Sequence, residues 1–385
     1  MLTHIVKRGL ANIQAATPEY IAQLKADAEV YEQAGPEMEV NPIEALPILI
    51  TALFFLLVLA SIRYTFGTVV ATLAMVESPS AAVVVEQTLP AYKDEEPLIP
   101  TATDKGADVE AMVVNRKPIT ASLCATMRQL RSVGGSCARW RGAGMGIVHT
   151  IAHAVVAKVL FATLGGLFDY SLASLTLVSI LTSLLLARVH LLWTHAIIAH
   201  PSPKSFLQRM VPRAECKPLL VPTLVLGAAQ QATLLVPLAV AQLVRLQDIT
   251  PETALRTEGC AVLLLALRVL AVPATAVILA LFLLLPAAAT RARIEAALLP
   301  ADILSIVPID RAPAALKFTA AWRAFDRAAR LRVLKVYAKM VFSQTVVALV
   351  GILIIAAEVY VIGGERLGIF FTATRAQLEL MAIEG

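Results

Sequence analysis

Apolar residues in this chain fall in long blocks, not in short alternating runs. Six blocks stand out, at residues 46–66, 143–168, 172–199, 219–244, 260–288 and 340–363. Each has about the 20 apolar residues that a helix needs to cross the hydrocarbon of a bilayer. The pattern predicts an all-α integral membrane protein with six transmembrane helices. Polar residues interrupt several blocks. The second carries His149, His153 and Lys158. The fourth carries Pro222, Pro237 and the pair Gln230–Gln231, and the fifth holds Arg268 and Pro273. Glu358 comes near the end of the sixth.

Two further segments have a helical stripe instead of a continuous apolar block. In residues 1–17, Leu2, Val6, Leu10 and Ile13 share one face, with Lys7 and Arg8 and no acid. That fits either a mitochondrial presequence or a helix lying on a membrane surface. In residues 312–339, Phe318, Trp322, Phe325, Ala329, Val333 and Val336 form a stripe backed by Arg and Lys. This predicts one amphipathic helix along an interface. Residues 78–110 are rich in Pro, Asp, Glu and Thr and predict a flexible insertion in the first odd loop.

Composition supports the membrane reading. Of 385 residues, 58% are hydrophobic and only 16% charged, with mean hydropathy +0.74. Soluble domains carry nearer a quarter charged residues. The net charge of +5 matters less than where it lies. Residues 115–141 hold six basic side chains and no acidic one, and residues 311–339 hold eight against Asp326. The loop after the third block has Lys204, Arg209, Arg213 and Lys217 against Glu215, whereas residues 1–46 hold three basic and seven acidic groups. Positive charge therefore marks the odd loops as one face, cytoplasm or matrix, with both termini on the other. Membrane lipids, anionic ones at the basic odd loops, are the expected partners. The topology accounts for the basic loops without nucleic acid. The four cysteines show neither a disulfide framework nor zinc spacing.

A search for internal repeats groups the spans in pairs, because each odd span is followed by a basic loop and an even span. The end of the fifth span reads Pro286-Ala287-Ala288-Ala289-Thr290-Arg291-Ala292-Arg293. Trp140-Arg141-Gly142 precedes the second span. These segments resemble two signatures of the mitochondrial carrier family, P-x-[DE]-x-x-[KR]-x-[KR] at the ends of odd spans and aromatic-[RK]-G before even ones. Pro286, Arg291 and Arg293 keep the spacing, with Ala288 in place of the acid. The ends of spans one and three are more eroded. The resemblance implies three pseudo-repeats of two spans with amphipathic helices in the odd loops. Residues 1–45 are then an N-terminal extension. The repeats cover 46–168 (with an insertion at 78–115), 169–245 and 246–363, and 364–385 form a C-terminal tail. It also implies the mitochondrial inner membrane, and a first substrate contact seven residues past Gly142, which is His149. His153 shares that helical face. The acids of all three odd-span motifs are missing, so the family's usual gate of carboxylate–cation pairs cannot form from these positions.

The leading expectation is a transporter of a small, anionic metabolite with non-standard gating and no cofactor, not an enzyme. A charge at the bilayer centre costs at least about 2.5 kcal/mol, so intramembrane polar residues mark candidate sites. His149, His153, Gln230, Gln231 and Arg268 are the candidate substrate-lining residues. A non-transporting carrier-fold organiser or adaptor is the first alternative. The second is a metal or haem protein ligated by His149, His153, His190 and His195, since five of the six histidines fall within 52 residues.

Overall fold

A computed structural model of the chain describes residues 18–33, 42–78, 118–164, 171–202, 208–249 and 259–384. The expected helix at residues 1–17 and nearly all of the insertion lie outside them. The described residues are helical apart from turns and one isolated β-bridge. Five helical stretches are long and apolar enough to cross a membrane: Ala45–Val76, Ser136–Leu164, Arg213–Leu243, Cys260–Ala297 and Arg327–Gly364. A sixth arises only if the bent pair Leu172–Leu185 and Ala187–Ile198, angled at 59°, counts as one span. Their apolar side chains are largely uncovered: Leu49, Leu263, Phe282 and Phe342 are 64–74% exposed. So much exposed apolar surface on long helices is compatible with an integral membrane protein.

The chain divides into two compact units, residues 64–340 and residues 1–63 with 341–385. In the latter, helix α1 (Pro18–Gln33) precedes α2 (Pro42–Ile62). Here Gly351 lies against the ring of Phe55, and Thr51 donates to the Glu358 carboxylate at 2.7 Å. Glu358 is thus hydrogen-bonded across to α2.

The larger unit begins within a π-helical stretch, Arg63–Val70, which leads into α3 (Ala71–Val76). Then come α4 (Leu123–Gly134), α5 (Ala143–Leu164), α6 (Leu172–Leu185), α7 (Ala187–Ile198) and α8 (Leu220–Leu243). Helix α9 (Cys260–Leu279) is followed by a second π-helical stretch, Ala280–Leu284, and by α10 (Leu285–Ala297). Helix α11 is Phe318–Arg323, and α12 starts at Arg327.

The first, third and fifth apolar blocks all break before they end. Wide π turns interrupt the first and fifth. The third bends at Leu186, where Thr182 and Ser183 bond back to the carbonyls four residues earlier. Such back-bonding bends helices. In the fifth, Pro286 restarts the helix at a position where its missing N–H costs little. Beyond each break the helix is buried. Val69–Val76, Ile197, Ile198, Ala289, Ala292, Ala296, Phe325, Ala329, Val333 and Val336 share one core. Backbone bonds close this end. Ala199 bridges Ser305, Ile306 N donates to Ile198 O at 2.8 Å, and Ser78 N donates to Pro308 O at 2.9 Å.

One expectation changes. The stripe at 312–339 is not one helix. A short 3-10 turn and α11 end before Asp326, whose carboxylate accepts from Ala329 N at 2.8 Å and caps a new helix. That helix, α12, continues through the sixth apolar block to a kink at Gly364, beyond which the chain is helical again as far as Glu384. Helix α4 is amphipathic, with Thr126 and Leu130 buried.

Candidate functional site

The site gathers where α5, α7 and α10 meet the π-helical start of the larger unit. Gly135, at φ 68°, ends α4, and a 3-10 turn over Ser136–Trp140 leads to Gly142 at φ 72°. Both angles favour glycine. A side chain at Gly142 would also press on Ile197 and Trp193, and one at Gly146 would lie 3.1 Å from three atoms of the Trp193 ring. These two glycines let α7 approach α5 closely enough for Trp193 to lie on its surface. Tyr64 completes this corner. Its hydroxyl donates to Arg141 O at 2.6 Å, receives Trp193 Nε1 at 3.5 Å, and its ring stacks on Trp140 at 5.9 Å.

One turn above Gly146, His149 faces both neighbours. Its ring centroid is 5.3 Å from His190, 5.6 Å from Trp193 and 6.0 Å from His153. His190 and Trp193 are 5.4 Å apart. Three of the four histidines considered as metal ligands therefore lie together. The fourth, His195, points to a different partner, donating from Nε2 to the backbone carbonyl of Glu295 at 2.7 Å. Among the described residues no group of three or more His, Cys, Asp or Glu is arranged to hold a metal ion.

Glu295 is the centre of the site. Its carboxylate has no solvent exposure, yet it accepts from His190 Nδ1 at 2.8 Å, Thr194 Oγ1 at 2.5 Å and Arg291 Nε at 2.9 Å. A buried carboxylate is tolerable only with partners of this number and quality. Breaking such a pair by removing one member costs about 3–5 kcal/mol. Because a carboxylate only accepts, His190 carries its proton on Nδ1, leaving Nε2 as an acceptor. The His190 side chain is 25% exposed. A second buried carboxylate, Glu77, accepts from Ile119 N at 2.6 Å, Thr120 N at 3.1 Å and Thr120 Oγ1, with Arg332 Nη1 4.0 Å away.

The motif residues all serve this end of the unit. Pro286 is buried, Arg291 pairs with Glu295, and Arg293 donates from Nε to Met75 O at 2.8 Å with its guanidinium over Phe325. Arg141 donates to Ala199 O. The other expected lining residues are scattered. Gln231 donates to Ser179 Oγ at 2.8 Å, joining α8 to α6. Gln230 and Arg268 are exposed on α8 and α9, as is Lys158 on α5. None of these four belongs to the histidine–glutamate cluster.

Comparison with protein-family models, with curated proteins and with solved structures finds no match for this chain.

Sequence reasoning passed over Glu295, Glu77, Thr194, Trp193 and Tyr64. One local signal existed. Arg291 and Glu295 stand four apart within a small apolar run, as do His190 and Thr194, so each pair shares a helix face.

Proposed function

We propose that this chain is a carrier-like transporter of a small anionic metabolite, with six spans in three pseudo-repeats, in the mitochondrial inner membrane. The observation that carries this reading is Glu295. The odd-span motifs lack their acids, but a buried carboxylate seven residues beyond Ala288 takes bonds from α7 of the third span and α10 of the fifth. It supplies the carboxylate–cation lock from an unusual position. The break in each odd span supports the pseudo-repeats, since each gives one turn where a helix pair can pivot. Arg291 and the basic odd loops favour an anion over a cation. His149 and His153, at the surface of the cluster, would meet it.

The non-transporting organiser keeps support from one observation. Pro286, Arg291, Arg293, Trp140, Arg141 and Gly142 are all engaged in internal bonds or packing. Reconstitution separates the two readings. Vesicles holding the protein should exchange labelled phosphate or at least one labelled mono-, di- or tricarboxylate above the rate of empty vesicles. Exchange of none of them removes the transporter and leaves the organiser.

A further inference from the structure

His153, His149 and His190 stand in a row that ends on the carboxylate of Glu295. Successive ring centroids are 6.0 and 5.3 Å apart, and the last ring is bonded to Glu295 at 2.8 Å. We propose, resting on the transport reading above, that this row binds the proton that crosses together with the anion.

The chemistry follows from the tautomer. Glu295 holds the Nδ1 proton of His190, so a proton arriving from water by way of His153 and His149 attaches to His190 Nε2. The neutral imidazole becomes an imidazolium still bonded to the same carboxylate. On release the Nε2–H bond breaks, the proton returns to water on the other face, and the original tautomer is restored. No other bond changes.

The surrounding charges make the proton depend on the anion. The groups facing His190 are Glu295 and Arg291 on α10 and His149 on α5, with His153 beyond it. The Tyr64 phenol lies across Trp193, and His195 is turned to the Glu295 carbonyl. Arg291 and Glu295 already cancel. A proton on His190 leaves one uncompensated positive charge at a site with little solvent, which is unfavourable alone. An anion beside His149 and His153 offsets it. Each ligand thereby raises the affinity for the other.

Two measurements test this. In vesicles enclosing a pH-sensitive dye, with the outside made acidic, uptake of labelled phosphate or a labelled carboxylate should acidify the interior. In H190Q, uptake should lose its dependence on the pH gradient, and acidification should fall to the level of empty vesicles. Uptake by the wild type with no acidification, or H190Q coupling as well as the wild type, overturns the proposal. The second measurement needs no substrate. Nitrogen-15 spectra of labelled histidines in lipid discs should show His190 as the Nδ1–H tautomer, gaining a proton on Nε2 as the discs are acidified. H149N, altering a half-buried ring, should move that midpoint while leaving the rest of the spectrum in place. A His190 that stays neutral throughout overturns the proposal. If no probe is taken up, the transport reading fails, and the titration alone decides whether the row binds a proton.

Discussion

Gly146 leaves no room for a side chain, because a Cβ there would lie 3.1 Å from Cε2, Cζ2 and Nε1 of Trp193. Two positions earlier, Gly144 faces open space. Overpacking a filled contact costs about 1–3 kcal/mol. G146V should lower the thermal unfolding midpoint in detergent, while G144V should leave it close to the wild type. Equal midpoints for the two variants would mean that α5 and α7 do not meet as described. At this scale the chain was partly legible. His149 could be located by counting from Gly142, since both lie on one continuous segment. Its closeness to His190 was open to sequence only as one of four histidines able to share a metal, and its contact with Trp193 was not, because both reach it from 40 residues or more along the chain.

Among the elements, the amphipathic stripe from Phe318 to Val336 was visible in sequence, and its inner members are indeed buried. The break within it was not. Asp326 was counted only as the lone acid of a basic segment, yet its carboxylate caps α12 through Ala329 N. Losing such a cap costs about 1 kcal/mol, and asparagine caps as well as aspartate. D326A should therefore destabilise the protein by about that much in chemical denaturation, and D326N should restore most of it. A loss of equal size in both variants would point to the carboxylate's charge instead of the cap. The breaks in the odd spans were legible to different degrees. Pro286 announces one, because proline cannot donate to the turn before it. The π turn at Arg63–Val70 and the bend at Leu186 carry no such marker.

For the whole molecule, four native cysteines offer a direct test of topology. Cys124, Cys137 and Cys260 are exposed, and Cys216 is buried. The charge pattern puts Cys124 and Cys137 on the basic face, and Cys260, three spans later, on the other. With Cys216 replaced by serine, a membrane-impermeant maleimide added to sealed vesicles of one orientation should label Cys260 without labelling Cys124 and Cys137, or the reverse. Labelling of all three from the same side would break the arrangement of spans.

Hydropathy, read from the sequence alone, determined that the chain folds into helices long and apolar enough to cross a membrane, and loop charge predicts one basic face. Both are sums over many neighbouring residues, and the cost of burying charge in hydrocarbon makes them decisive whatever the tertiary contacts. Histidine spacing along α5 was likewise local. Tertiary structure alone decided that the fifth apolar block delivers Glu295, seven residues beyond Ala288, to His190 and Thr194. A buried carboxylate is stable only where several donors converge on it, and that convergence belongs to the packing of α7 against α10, which no single stretch of sequence encodes.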